Sequence, residues 1–394
     1  MKPFPGHRDE GRAPPGRIPR PDQHPVEPDV RGWLADALLG SAHLAPWCAF
    51  DLSAEALLAA ARDEGVTVAL LHRLGKHPCW PDLPQVLTTA LARDAKQAVA
   101  WEMFSHAALH EVLDALAAAG IDCLLLKGTA LAYLLYPVPH ARPRGDVDLL
   151  VADRATAERA LQQLAALGYE RLLGMQGRYI SHQFACTRRA GNHHVLMIDL
   201  HWGLSNSNFF AQRFSFSDLW SERRPVAALG PQAQALSARH ALVHALFHRA
   251  WHLGEGDPDR LIWLYDIHLL CRSFDREHWR AFVDAVARRG LQPLCRAGLQ
   301  DLQAVFATPI PPSVDAALAA APPRGFLNQM HLLQPGKRRT LTDLLSLPSW
   351  RQRLGYLRET LFPDADYMRQ RFGAHSRWQR SIAYLRRALN GLSK

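Results

Sequence analysis

Residues 120–151 read GIDCLLLKGTALAYLLYPVPHARPRGDVDLLV, and two short apolar runs in this stretch set the fold class. The first, 121–126 (IDCLLL), lies between Gly120 and the pair Lys127-Gly128. A run that short, closed by glycine at each end, is the signature of a buried strand. The second, 146–151 (DVDLLV), alternates so that Asp146 and Asp148 fall on one face while Val147, Leu149 and Val151 fall on the other. Between them 130–136 reads as a helix. After them Asp153 caps a further helix, whose stripe Ala157, Ala160, Leu161, Leu164 and Leu167 stops at Gly168. The unit is strand, helix, strand, helix.

Downstream, 178–187 (RYISHQFACT) and 193–202 (HHVLMIDLHW) form a candidate hairpin about the turn-like 189–192. Alternation in the second arm sends Leu196, Ile198, Leu200 and Trp202 inward and puts Met197, Asp199 and His201 on the opposite face. Upstream and downstream the period changes to that of helices. The clearest case is Trp101, Phe104, Ala108, Val112 and Leu116, ending at Gly120. Helical spacing returns after about residue 232 and persists. Residues 1–30 hold eight prolines and few large apolar side chains, too little to offset the entropy of ordering. The expected organisation is therefore a disordered tail over 1–30, a helical region over 31–119, a sheet-bearing core over 120–232 and a helical domain over 233–394. This is an α+β fold, a small mixed β-sheet core with flanking helical domains.

Six scattered cysteines without a CxxC pair suggest neither a zinc site nor a disulfide framework. The net charge of +9 is spread along the chain and suits a polyphosphate as well as a larger polyanion. No window approaches the roughly 18–20 apolar residues of a spanning helix, and the N-terminus lacks the apolar centre of a secretory signal. Membrane insertion is not expected, and the chain is expected in the cytoplasm. Oligomeric state leaves no sequence signal.

Asp146 and Asp148 side by side repel each other unless a cation lies between them. Hard divalent cations, Mg²⁺ or Mn²⁺, take carboxylate oxygens. Asp199 becomes the third carboxylate if its strand neighbours theirs. A phosphate site is expected at Lys127, Gly128 and Thr129, where a strand ends and a helix begins. Gly128 admits close backbone approach, Thr129 caps the helix, and Lys127 is either a phosphate ligand or a solvated strand-end residue. The stiff segment 137–145 adds Arg142 and Arg144, suited to bidentate phosphate contacts.

These residues resemble the DNA polymerase beta-like nucleotidyltransferase superfamily. More narrowly they are similar to a bacterial family of uncharacterised nucleotidyltransferases with a Lys-Gly-(Ser/Thr)-Ala turn, an Arg-x-Arg-x-Asp-(Ile/Val)-Asp-Leu strand and an Asp-Leu-His-Trp strand. Here these are Lys127 to Ala130, Arg142 to Leu150 and Asp199 to Trp202. The resemblance implies that Asp146 and Asp148 bind two metal ions, that Asp199 binds the catalytic one, and that Gly128 and Thr129 hold the triphosphate. It implies transfer of a nucleoside monophosphate from an NTP, ATP by abundance, to an unidentified acceptor hydroxyl with release of pyrophosphate. A small-molecule or protein acceptor is favoured over nucleic acid. The alternatives are a non-catalytic nucleotide-binding module and an RNA- or tRNA-end nucleotidyltransferase.

Four further features stay open at this level. His201 either orients Asp199 or is a hydrogen-bonded structural histidine. Asp266, inside an apolar helix, calls for a partner such as Arg260 or a histidine and is a candidate for orienting or deprotonating the acceptor. His240, His244, His248 and His252 recur every four residues and read as a partly exposed helix face near the cleft rather than a metal site. Residues 351–394 carry ten Lys or Arg against three acids, which at helical spacing reads as core aromatics with a solvated basic face rather than an RNA surface.

Overall fold

The computed structural model describes residues 28–41, 44, 53–172, 174, 177–190, 194–320 and 337–392. Most of the expected tail and the tip of the expected hairpin lie outside these residues. The chain opens with helices α1 (Pro28–Leu39), α2 (Ala54–Asp63), α3 (Thr67–Leu74) and α4 (Gln85–Ala118). Strand β1 (Leu124–Leu125), α5 (Lys127–Leu135), β2 (Val147–Leu150) and α6 (Arg154–Ala166) follow. Then come β3 (Glu170–Arg171), β4 (Gln183–Ala190), β5 (His194–His201), α7 (Asn208–Ala211), α8 (Phe216–Ser221), β6 (Arg224–Pro225) and β7 (Gln234–Ala235). The rest is helical: α9 (Ala238–Glu255), α10 (Leu261–Arg272), α11 (Arg276–Arg289), α12 (Gln292–Phe306) and α13 (Pro312–Ala319), then α14 (Lys337–Ser346), α15 (Trp350–Leu361), α16 (Ala365–Phe372) and α17 (Arg377–Leu392).

One mixed sheet runs in the order β3-β4-β5-β2-β1-β7-β6. Its centre is β2, antiparallel to β1 and parallel to β5. The α+β expectation holds, and β4 with β5 is the expected hairpin. The details shift. Residues 178–182 stay outside the sheet, and β4 instead extends to Ala190. The pair of residues in β1 is all that remains of 121–126, and β3, β6 and β7 are two-residue ladders too short to carry a period.

The two faces of the sheet meet different cores. Val147, Leu149, Val151, Leu196, Ile198 and Leu200 pack with Leu109, Val112 and Leu116 of α4 and Ala157, Ala160 and Leu164 of α6. This is the division that the period of two requires. Leu124, Leu126 and Leu150 turn instead into a larger core that joins α1 to α3 with α9 to α13. Helices from before and after the sheet-bearing segment therefore share one apolar interior. Ion pairs reinforce it, Arg31 reaching both Glu64 and Asp259. No helix among the described residues is long and apolar enough to cross a membrane.

Candidate functional site

The parallel pairing of β2 and β5 sets Asp148 directly opposite Asp199, with Leu150 opposite His201. Asp199 and His201 are two positions apart on β5 and so share a face. A carboxylate oxygen from each aspartate and a ring nitrogen of His201 lie within 4.8 Å of one another. Asp148 is only 2% exposed, and its Oδ1 accepts from Lys127 Nζ at 2.6 Å and from His201 Nε2 at 2.9 Å. Of the two readings the sequence left open, His201 is thus a hydrogen-bonded histidine, and its carboxylate partner is Asp148 rather than Asp199. Its other nitrogen, Nδ1, is buried without a hydrogen-bond partner. Asp199 accepts instead from Gln183 Nε2 at 3.2 Å, across the hairpin.

These carboxyls are held in different charge environments. Burial opposes the charge on Asp148, but Lys127 and His201 outweigh it and hold its pKa well below the usual carboxylate range. For Asp146 and Asp199, burial and then repulsion from Asp148 push the pKa up, although Lys127 and His201 act against this. Asp146 lines the same cleft, just before β2, and lies outside the converging trio.

The turn before β2 departs from expectation in its contacts. Helix α5 starts at Lys127, which makes Leu126 the cap position and leaves it without a side-chain cap bond. Thr129 is therefore not the cap. It is 1% exposed, and its hydroxyl donates to the Asp146 carbonyl at 3.5 Å. Lys127 has φ 47°, in the left-handed region that a side chain adopts at a cost, and from there its ammonium reaches Asp148. Burial opposes that ammonium, yet Asp148 raises its pKa.

Both arginines are committed to carboxylates. Arg142 Nε and Nη2 donate to Asp266 at 3.0 and 2.7 Å, and the Tyr136 hydroxyl donates to the same carboxylate at 2.7 Å. The partner of Asp266 is Arg142, rather than Arg260 or a histidine. A Cβ at Gly128 would stand 3.2 Å from the Arg142 guanidinium, so this glycine makes room for the arginine. Arg144 pairs with Glu102 of α4 at 2.8 Å and lies 5.5 Å from the ring centre of Tyr133. Neither Glu102 nor Gln183 was recognisable beforehand, because a helical glutamate and a strand glutamine look like ordinary solvated residues.

The site opens into a cleft of about 420 Å³, within the size range of small-molecule sites. One wall carries Lys127, Asp146, Asp148, Asp199 and His201, and the other carries His244, His248, Trp251, His252, Arg260 and Trp263 of α9 and its continuation into α10. The expected partly exposed histidine face is thus corrected at two positions. His240 and His244 are 2% and 3% exposed. His244 Nε2 faces the Leu204 carbonyl at 3.1 Å, and burial, with help from Lys127, lowers its pKa to about 3. His240 sits beside Ser237, its pKa lowered to about 4 by burial and Arg239.

A family model described as "Uncharacterised nucleotidyltransferase" matches residues 51–307. Among solved structures, the chain is similar to an antigenic nucleotidyltransferase-like protein from Paracoccidioides brasiliensis. The identity is 16% and the TM-score 0.31, over 52% of this chain and 93% of that one. No curated protein matches.

Proposed function

The chain belongs to the uncharacterised nucleotidyltransferase family, and from that premise we propose that it transfers a nucleoside monophosphate from an NTP, ATP by default, to an acceptor hydroxyl and releases pyrophosphate. The observation that carries this reading is the convergence of Asp148, Asp199 and His201 inside a cleft that also holds Lys127 and Asp146. The donor set fits divalent cations. Two carboxyls have pKa values raised by burial and mutual repulsion, and the unpartnered Nδ1 of His201 leaves one buried nitrogen unsatisfied. Asp146, Asp148 and Asp199 would hold Mg²⁺ or Mn²⁺, which when bound neutralises phosphate charge and polarises the reacting oxygens.

The chain's own groups do the rest. Lys127, held over the site in a strained backbone conformation, exchanges its contact with Asp148 for one with the phosphates. Arg142 and Arg144 act through the carboxylates they already hold. They fix segment 142–146, and with it Asp146, against α10 and α4. Asp266, 4% exposed and triply bonded by Arg142 and Tyr136, orients Arg142 rather than deprotonating an acceptor.

The test is pyrophosphate release from each ribonucleoside triphosphate with Mg²⁺ or Mn²⁺, using a cell extract as acceptor pool. Release by the wild type that disappears in Asp148→Asn with Asp199→Asn establishes the transfer and its donor. Metal-dependent binding of ATP without release from any triphosphate would rule it out in favour of a nucleotide-binding module.

A further inference from the structure

The helical wall of the cleft carries two histidines that the proposed transfer does not use, His248 and His252, and behind them stands a carboxylate, Asp257. His248 and His252 stand one turn apart on α9, with ring centres separated by 4.4 Å and Nε2 atoms by 3.1 Å. Asp257 lies just past the end of the helix, its Oδ2 2.6 Å from His252 Nδ1. Their order assigns the protons. A carboxylate only accepts, so the proton of that short bond sits on His252 Nδ1. In the neutral ring His252 Nε2 is then an acceptor, and His248 Nε2 must be the donor to it. That leaves the lone pair of a neutral His248 on Nδ1, an atom with no hydrogen-bond partner among the described residues.

From this geometry we infer that Asp257, His252 and His248 form a proton relay that takes the hydroxyl proton of the acceptor during nucleotidyl transfer, an inference that rests on the activity proposed above. The electron balance is complete. The acceptor O–H bond breaks and its proton goes to His248 Nδ1, while the oxygen forms a bond to the α-phosphorus. The α-phosphorus bond to the bridging oxygen breaks, and pyrophosphate departs with the electron pair. The Nε2 proton of His248 passes to His252 Nε2, and the Nδ1 proton of His252 passes to Asp257, whose half-exposed carboxyl returns it to water.

Burial explains why a relay suits this wall better than a lone base. Desolvation, then the positive charge of Lys127, hold the His248 pKa well below its ordinary value. The ring is therefore neutral and ready to accept, but a positive charge left on it would be costly. Passing one proton onward to a carboxylate with half its surface in water moves the charge out of the interior. A histidine pair serving only to pack against Trp263, 5.7 and 5.0 Å from the two rings, has no need of Asp257.

The test uses the full-length protein with Mg²⁺-ATP and a cell extract, and reads three quantities. His248→Ala is expected to slow pyrophosphate release by about 10²-fold or more, with binding of labelled ATP unchanged, and added imidazole should restore part of the rate. Asp257→Asn, at a half-exposed position that leaves the fold intact, is expected to slow release by about tenfold. Proton NMR of the wild type should show a strongly downfield imidazole N–H from His252, absent in Asp257→Asn. Three results overturn the relay: release by His248→Ala within about threefold of the wild type, loss of ATP binding in parallel with rate without imidazole rescue, or no downfield proton. A wild type that binds Mg²⁺-ATP yet releases nothing defeats the underlying transfer and the relay together. A wild type that releases pyrophosphate while the variants behave normally defeats the relay alone.

Discussion

The two walls of the cleft solve opposite electrostatic problems. On the sheet wall three carboxyls line the cleft, and Asp148 stays ionised because Lys127 and His201 lie against it. On the helix wall, burial keeps His244 and His248 uncharged. The sheet wall thus concentrates charge that a cation and a triphosphate can answer, while the helix wall offers neutral rings and aromatic surface. A site that must hold a polyanion and also accept a proton needs both kinds of environment, close together but kept distinct. The difference teaches that neither wall can be read without its opposite, since Lys127, which holds Asp148 ionised, also helps keep the histidines neutral.

The largest expected effect comes from abolishing the charge of the sheet wall. Asp148→Asn should reduce nucleotidyl transfer by about 10²–10³-fold. Without the carboxylate the part-buried Lys127 loses its ion-pair partner, so the variant should also lose stability, by about 1–3 kcal/mol. Transfer assays and urea melts on the same preparation check both. A variant with near-normal activity would mean that the sheet wall is not where the chemistry occurs.

Next in size is the joint between the walls. Arg142, from the segment leading into β2, grips Asp266 of α10 at 2.7 Å. Arg142→Met alone strands a buried carboxylate and should destabilise by about 3–5 kcal/mol. Arg142→Met with Asp266→Leu removes both charges and should recover most of that loss in denaturant melts. If the double variant regains stability but its activity stays low, the pair's role is to hold the walls in register.

These contacts also mark the limit of what the sequence disclosed. The sheet wall was legible because a period of two assigns faces, so Asp148 and Asp199 could each be set on the polar face of its own strand, while their position opposite each other comes from the strand pairing. The family-like turn and strand motifs added the expected chemistry. What stayed hidden depends on distance along the chain. Arg142 and Asp266 are 124 residues apart and Arg144 and Glu102 are 42 apart, and no local pattern says which carboxylate will claim a guanidinium. The histidine stripe was visible as a period of four, but a period fixes a shared face and not what that face meets. The burial of His240 and His244 follows from the packing of α9 into the larger core.

The pH dependence of stability probes the neutral wall and has a smaller effect. His240 and His244 have pKa values of about 4 and about 3 in the folded protein, against an ordinary 6.5. The unfolded chain therefore binds more protons than the folded one between those limits, and stability falls as pH drops from 6.5 towards 4. Each histidine contributes up to about 1.4 kcal/mol per pH unit within its window. Asp148 adds loss of the same sign only below its ordinary value of 3.8. Thermal melts from pH 7 to pH 4.5 should show the decline, and His244→Gln should make it shallower while His240, His248 and His268 sustain the rest. An unchanged slope in that variant would mean that His244 is already protonated in the folded state and that the contrast between the walls is weaker than drawn.

The smallest effect sharpens the contrast from the charged side. In the metal-free protein burial and repulsion from Asp148 both oppose the charge on Asp199 and push its pKa up. Asp199→Asn removes that repulsion and keeps a group able to bond Gln183, so it should raise the metal-free melting temperature by about 1–3 °C. Mg²⁺ or Mn²⁺ should raise the melting temperature of the wild type, because binding to the folded state alone stabilises it, and should raise that of Asp199→Asn much less. The two shifts have one cause, since the repulsion that destabilises the free site is what a cation relieves. A metal-free Asp199→Asn that melts below the wild type would show that the Gln183 contact outweighs the repulsion, and that the sheet wall is built to be stable without its cation.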